Sequence, residues 1–122
     1  MPDHRTYKVL RAKEASDLVA TAHFDGSADD QRDGFIHLST EEQVPGTLAK
    51  HFAGEESLFL ALCIFASDDD ALKWEGSRGG ALFPHLYRKL TVWDVRALSP
   101  LPKAKDRGAG GDVPAILQTT AP

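Results

Sequence analysis

"DGFIHLSTEEQ", residues 33–43, is the stretch whose reading decides how the rest of the chain folds. Asp33-Gly34 is turn punctuation, and Phe35-Ile36-His37-Leu38 has the character of a short strand. Thr40 and Gln43 then have the spacing of a capping box, with Ser39 as an alternative cap. Pro45 lies too far inside a helix begun at Thr40 to be a free first-turn residue, so the helix either begins at Pro45 or is kinked there. A strand running straight into a helix start sets His37 beside free amides and the Ser39 and Thr40 hydroxyls. Such a place suits a phosphate, sulfate or carboxylate. The plainer account is a histidine at the edge of the core with an ordinary cap.

Working outward, "TYKVL" (6–10) reads as a strand and "AKEASDLVATA" (12–22) as a helix with Ala15, Leu18, Val19 and Ala22 on one face. "HFDGSADDQRDG" (23–34) reads as a polar loop, and its aspartates Asp25, Asp29, Asp30 and Asp33 as solvated. Downstream of the quoted stretch, Leu48, Ala49, Phe52 and Ala53 give a helix its apolar face and Gly54 a stop. "SLFLALCIFA" (57–66) is apolar on both faces, the pattern of a central buried strand. "LKWE" (72–75) and "TVWDVRAL" (91–98) read as strands, "GSRGG" (76–80) as a loop, and "LFPHLY" (82–87) stays ambiguous because of Pro84. These elements predict an α+β domain over residues 1–101, mainly antiparallel, with about two helices packed on one side. Residues 102–122, rich in Pro and Gly, predict a mostly mobile tail.

With 42% hydrophobic and 26% charged residues the composition is that of a soluble globular chain, and a net charge of −4 gives no global attraction for double-stranded nucleic acid or an anionic membrane. The longest apolar run, 58–66, is about half of what spans a bilayer. The single cysteine, Cys63, cannot form an internal disulfide, and nothing at the N-terminus reads as a signal peptide. A cytoplasmic protein, monomeric or weakly dimeric, is the expectation.

A second cluster, "WEGSRGGALFPHLYRKL" (74–90), gathers Glu75, Ser77, Arg78, His85 and Tyr87 around a glycine loop. Glycine there lets a ligand approach the backbone, and Arg78 offers a planar fork to phosphate or carboxylate. For Trp74 and Phe83 the better account is as core plugs of a structural loop. His85 and Tyr87, two apart, point the same way on an extended backbone, and His85 is a partner for His37 across a cleft. No HxH or HExxH spacing supports a metal, and no phosphate-binding, GxSxG or GxGxxG motif occurs. Cys63, inside an apolar strand, is a poor nucleophile candidate.

Taken together, "DGFIHLST" with its following glutamine, "HFAG" and "LKWEGSRGGALFPHLY" resemble a bacterial group, domain-of-unknown-function family nine hundred and fifty-two, over residues 6–98. That resemblance implies an ADP-ribosyltransferase-like fold, two antiparallel sheets meeting at a cleft. "FIHLST" is similar to a stretch of the NAD-using RNA 2′-phosphotransferases, which implies that His37 and Ser39 face a nucleotide or ADP-ribose and that Tyr87 serves a nicotinamide-like ring. Members with a His-Tyr-Glu set place the glutamate after the tyrosine; here the last glutamate, Glu75, precedes Tyr87.

The functional expectation is a cleft for a nucleotide or another phosphorylated small molecule, used for group transfer or hydrolysis. No cofactor is required, and NAD or an ADP-ribose-like molecule is the ligand the resemblance implies. His37, Glu75 and His85 are the candidate catalytic residues, and Ser39, Thr40, Gln43, Ser77, Arg78 and Tyr87 the candidate ligand-binding ones. The rival expectation is a non-catalytic binding or interaction module that kept the cleft.

Overall fold

The computed structural model describes residues 3–76 and 79–104. The chain runs β1 (His4–Arg11), α1 (Ala12–Thr21), β2 (His23–Phe24), α2 (Ala28–Asp33) and β3 (Ile36–His37). A 3-10 turn (Glu41–Gln43) leads into α3 (Val44–His51), and then come β4 (Leu58–Phe65), β5 (Leu72–Gly76), β6 (Leu82–Leu86), β7 (Leu90–Thr91) and β8 (Val95–Pro100). The expected α+β class and antiparallel pairing are both present.

β4 is the middle strand of a sheet ordered β1-β4-β8, antiparallel to both neighbours, with Val9 opposite Leu60. Its side chains alternate between two cores. Ala61, Cys63 and Phe65 join Leu10 and the Ala15 and Leu18 face of α1, whereas Leu58, Leu60 and Leu62 join Tyr7, Val9 and the Val44 and Leu48 face of α3. Each fully buried leucine in this strand contributes about 1.5–3 kcal/mol. Because both faces of β4 are apolar, both must be covered, and α1 and α3 therefore pack on opposite sides. The expectation of two helices on one side is corrected.

A second sheet, ordered β3-β6-β5, has Leu86 at the crossing of Ile36 and Leu72. Pro84 fits within β6, where its carbonyl still accepts from Leu38 N–H at 3.0 Å. The two sheets meet where Tyr7 and Ser39 exchange backbone hydrogen bonds of 2.8 and 2.9 Å. That junction opens one side of the molecule into a cleft.

Three local readings are revised and one alternative is decided. The presumed loop 23–34 contains β2 and α2. Ser27 caps α2, its Oγ accepting from Asp30 N–H, and Gly34 ends it at φ 85°. Of the two alternatives at Pro45 the helix start is the one found: α3 begins at Val44 with Pro45 in its first turn, and Gln43 Oε1 closes the preceding 3-10 turn by accepting from Thr40 N–H at 2.9 Å. Residues 91–98 divide into β7 and β8 around an Asp94 turn, which accepts from Thr91 N–H and holds Arg88. Trp74 is not a core plug but partly exposed, with its ring 5.7 Å from that of His4, and Phe83 is half-buried.

Leu101, the last residue of the expected domain, is buried and donates to Leu58 O, and just beyond it Ala104 N–H meets the Glu56 carboxylate. Of the expected tail, residues 105–122 lie outside the described residues, as do Ser77 and Arg78 of the glycine loop. No helix among the described residues is long and apolar enough to cross a membrane.

Candidate functional site

The cleft has a volume of about 550 Å³ and lies between α2, α3 and the strands β1, β3 and β6. Its floor is built on Asp30, which is 2% exposed although it sits in an acidic stretch. The first turn of α2 turns its carboxylate inward. Oδ2 accepts from Ser27 N–H at 2.9 Å, and Oδ1 accepts from His37 N–H at 3.0 Å and lies 2.6 Å from His37 Nδ1. Lys8, also buried, completes the group with its ammonium 3.1 Å from Asp30 Oδ2 and 3.0 Å from His37 O. Burial disfavours ionisation of Asp30. The His37 hydrogen bond, the Lys8 charge and the Ser27 and His37 N–H groups outweigh it and hold the carboxyl well below the usual range.

His37 is therefore gripped through Nδ1 from below. Its Nε2 faces the cleft, 2.9 Å from Asp33 Oδ2 at the end of α2. The Asp33 carboxyl lies below its ordinary value, chiefly through its hydrogen bond to Arg32. Pairing of β3 with β6 puts His85 directly opposite His37, with ring centroids 5.6 Å apart. Phe35 bridges the two, stacked on His85 at 4.0 Å and tilted against His37 at 4.6 Å.

Behind His85 stands Glu75. Its Oε1 lies 2.8 Å from His85 Nδ1 and accepts from Tyr87 OH at 2.7 Å. Those contacts, Tyr87 first, lower the Glu75 carboxyl and raise the Tyr87 phenol. Neither Glu75 nor Tyr87 lines the cleft, and Glu75 is connected to it through its contact with His85.

Of the sequence candidates, His37, Ser39, Gln43 and His85 line the cleft, whereas Thr40, Glu75 and Tyr87 do not. Ser39 is buried with its hydroxyl 2.8 Å from Thr47 Oγ1, and Gln43 Nε2 donates to Leu82 O at 2.8 Å. The anion site imagined at a Ser39/Thr40 helix start is thus replaced by a tied-down 3-10 turn. The wall carries Arg11, engaged by Glu55, and Lys50, which has no ion-pair partner among the described residues. His51 also lines it; burial, then repulsion by Lys50, lowers its affinity for a proton. No three His, Cys, Asp or Glu side chains among the described residues are arranged to hold a metal ion.

Lys8, Asp30, Asp33 and Phe35 were missed. Two signals were available: a lysine inside an otherwise apolar strand, and the Ser27–Asp30 spacing of a capping box.

The family model described as "Protein of unknown function (DUF952)" matches residues 9–98. Among solved structures, the crystal structure of protein CC0527 from Caulobacter crescentus is 44% identical and covers 81% of this chain and 87% of its own, with a TM-score of 0.75. The solution NMR structure of CC0527 is 46% identical and covers 80% of this chain and 84% of its own, with a TM-score of 0.72. No curated protein matches.

Proposed function

The chain belongs to this DUF952 family of proteins of unknown function, and on that premise we propose that its cleft binds a nucleotide or another phosphorylated small molecule and acts on it by group transfer or hydrolysis. The observation that carries this reading is the buried Asp30 carboxylate on Nδ1 of His37, 2.6 Å away, at the floor of a cleft large enough for such a ligand. A carboxylate on one ring nitrogen fixes the imidazole and leaves the other nitrogen for proton transfer. Lys50, without an ion-pair partner among the described residues, supplies a cation on the wall for a ligand's anionic charge.

The ADP-ribosyltransferase-like character of the fold is part of the same proposal. Two antiparallel three-stranded sheets meeting at a cleft support it, and they favour NAD or an ADP-ribose-like molecule as ligand. A single cysteine, Cys63, buried in β4 and without a second to form an internal disulfide, agrees with a cytoplasmic setting. One observation favours the non-catalytic alternative: no glutamate follows Tyr87.

The test is a thermal-shift and amide-NMR titration with NAD, ADP-ribose, AMP and inorganic phosphate. A true ligand at a hundred times its dissociation constant adds about 2.7 kcal/mol of stability, and it shifts the His37, Ser39, Gln43 and Thr47 signals. Unchanged melting and unchanged signals with all four at saturating concentration would refute the reading.

A further inference from the structure

We propose that the substrate of this cleft is a phosphodiester, cleaved by His37 as general acid and His85 as general base. The inference rests on the reading above that the cleft takes a phosphorylated molecule. It goes further by naming the bond broken and a second reacting histidine.

Its basis is the doubling of one arrangement. His37 and His85 form a cross-strand pair, both line the cleft, and each has Nδ1 on a carboxylate of its own, Asp30 at 2.6 Å and Glu75 at 2.8 Å. Each carboxylate is anchored in turn, Asp30 by Lys8 and Ser27 N–H, Glu75 by Tyr87 OH. Phe35 packs against both rings, which meet edge-on with centroids 5.6 Å apart. Nδ1 of each ring is thereby held, His85 Nε2 has no partner among the described residues, and His37 Nε2 meets the cleft-lining Asp33 carboxylate. A purely structural histidine needs one anchored ring, whereas an acid and a base on the same reacting group need two.

The hydrogen bonds also divide the roles. His37 meets an acceptor at each nitrogen, Asp30 at Nδ1 and Asp33 at Nε2, and in the proposal it is the group that delivers the proton. His85 has one carboxylate, shared with Tyr87, and its Nε2 has no hydrogen-bonding partner among the described residues, so that nitrogen is open to the attacking water.

In the reaction, His85 Nε2 takes a proton from water as the water oxygen forms a bond to phosphorus. The bond from phosphorus to the leaving oxygen breaks, its electron pair stays on that oxygen, and His37 Nε2 supplies the proton. Diester and water become monoester and alcohol, and the two rings re-exchange protons with solvent. The pairing fits a diester better than nicotinamide release from NAD. A pyridinium leaves as a neutral base without a proton donor, whereas an alkoxide needs one. Glu75 and Tyr87 are positioning residues for His85. The charged or titratable groups around the two rings are Lys8 from β1, Asp30 and Asp33 from α2, His51 from α3, Glu75 from β5 and Tyr87 after β6.

The experiment uses the full chain with bis(p-nitrophenyl) phosphate and 2′,3′-cyclic AMP as diesters, p-nitrophenyl phosphate as monoester control, and calorimetric binding of AMP as a separate arm. Expected are cleavage of a diester in preference to the monoester and a bell-shaped pH profile of kcat/KM. His37→Asn and His85→Gln should each lower kcat by about 100-fold or more, with AMP still bound. Glu75→Gln should lower kcat without raising KM and should move the limb of the profile that His85→Gln removes. If AMP binds and neither diester is cleaved, or if cleavage survives His85→Gln unchanged, the inference is overturned and the ligand reading stands. If AMP, NAD, ADP-ribose and phosphate all fail to bind, the ligand reading falls and this inference with it. Where a variant does not fold, diethyl pyrocarbonate modification of the wild type replaces it. Activity lost in step with modification of His37 and His85, located by mass spectrometry and slowed by AMP, supports the pair; activity that survives their modification overturns it.

Discussion

Replacing Asp30 by asparagine keeps the shape of the side chain on the cleft floor and removes its charge. Lys8 and Asp30 have side chains only 8% and 2% exposed and stand 3.1 Å apart, so the variant leaves an ammonium in the interior without a counter-charge. Breaking a buried pair by deleting one partner costs about 3–5 kcal/mol. Against a total stability of about 5–15 kcal/mol, that is a large share, and it lowers Tm by roughly 10–20 °C for a chain of this size. Adding Lys8→Met removes the orphaned cation and should restore part of the loss, though not the hydrogen bonds that Asp30 accepts from Ser27 and His37.

Acid gives an independent reading of the same charge. A carboxyl depressed in the folded protein stabilises it at pH values above the unfolded value, and that stability is lost as pH falls through the folded value. Wild-type stability should hold down to about pH 4 in this respect and then decline; Asp30→Asn should lack that component. Calorimetry on the four proteins of the Lys8/Asp30 cycle between neutral pH and pH 3 measures both effects. An Asp30→Asn variant that melts with the wild type, or single losses that simply add in the double variant, would refute the buried-pair argument.

Glu75→Gln should lower the titration midpoint of the exposed tyrosine, Tyr87, towards its ordinary value, because a charged acceptor no longer holds its proton; an unchanged ultraviolet titration would show that the 2.7 Å contact is absent in solution. The buried Cys63 thiol, pushed up by desolvation, should react with a thiol reagent only on unfolding, and rapid labelling of native protein would contradict the central position of β4. Gly26→Ala should lower Tm more than Gly34→Ala: both glycines have positive φ, but only at Gly26 does an added Cβ fall 2.8 Å from Asp30 Cβ. Amide NMR should then show the His37 signals disturbed by the first substitution and not the second; equal losses and unchanged His37 signals would argue against the contact.

How much of this was legible depends on where the deciding force lies. β4 could be read because eight residues of unbroken apolar sequence have few uses in a short chain other than a doubly covered strand. β1 pairs along all of β4 and is buried on both faces, Thr6 and Lys8 included, which is why placing both helices on one side was mistaken. α2 was illegible by periodicity, since "ADDQRD" has no apolar face to bury; a cap and one inward carboxylate hold it. Asp30 was classed with its solvated neighbours because its burial depends on Lys8, 22 positions earlier in the chain. Trp74 shares its strand face with the buried Leu72 yet stays partly exposed, lying farther along β5, an edge strand of its sheet. His37 and His85 were both singled out from sequence, yet the direct register that pairs them is a tertiary fact.

That register is the point on which the site turns. β3 pairs with β6 over only two residues, too few for strand propensity to fix the alignment, and a slip of one residue would send the His37 ring to the opposite face. Three contacts outside the pairing hold it. Leu38 N–H donates to Pro84 O, Ser39 is clamped to Tyr7 on the other sheet, and Asp30 accepts from His37 N–H as well as holding the ring. Pro84 contributes in a second way, since a residue without N–H cannot donate to β3 in a slipped alignment. The carboxylate that orients the imidazole therefore also fixes the backbone carrying it. Any substitution that removes Asp30 should disturb the position of His37 before it alters the chemistry, and the two effects separate only in a variant such as Glu75→Gln, where the oriented histidine lies on the five-residue strand β6.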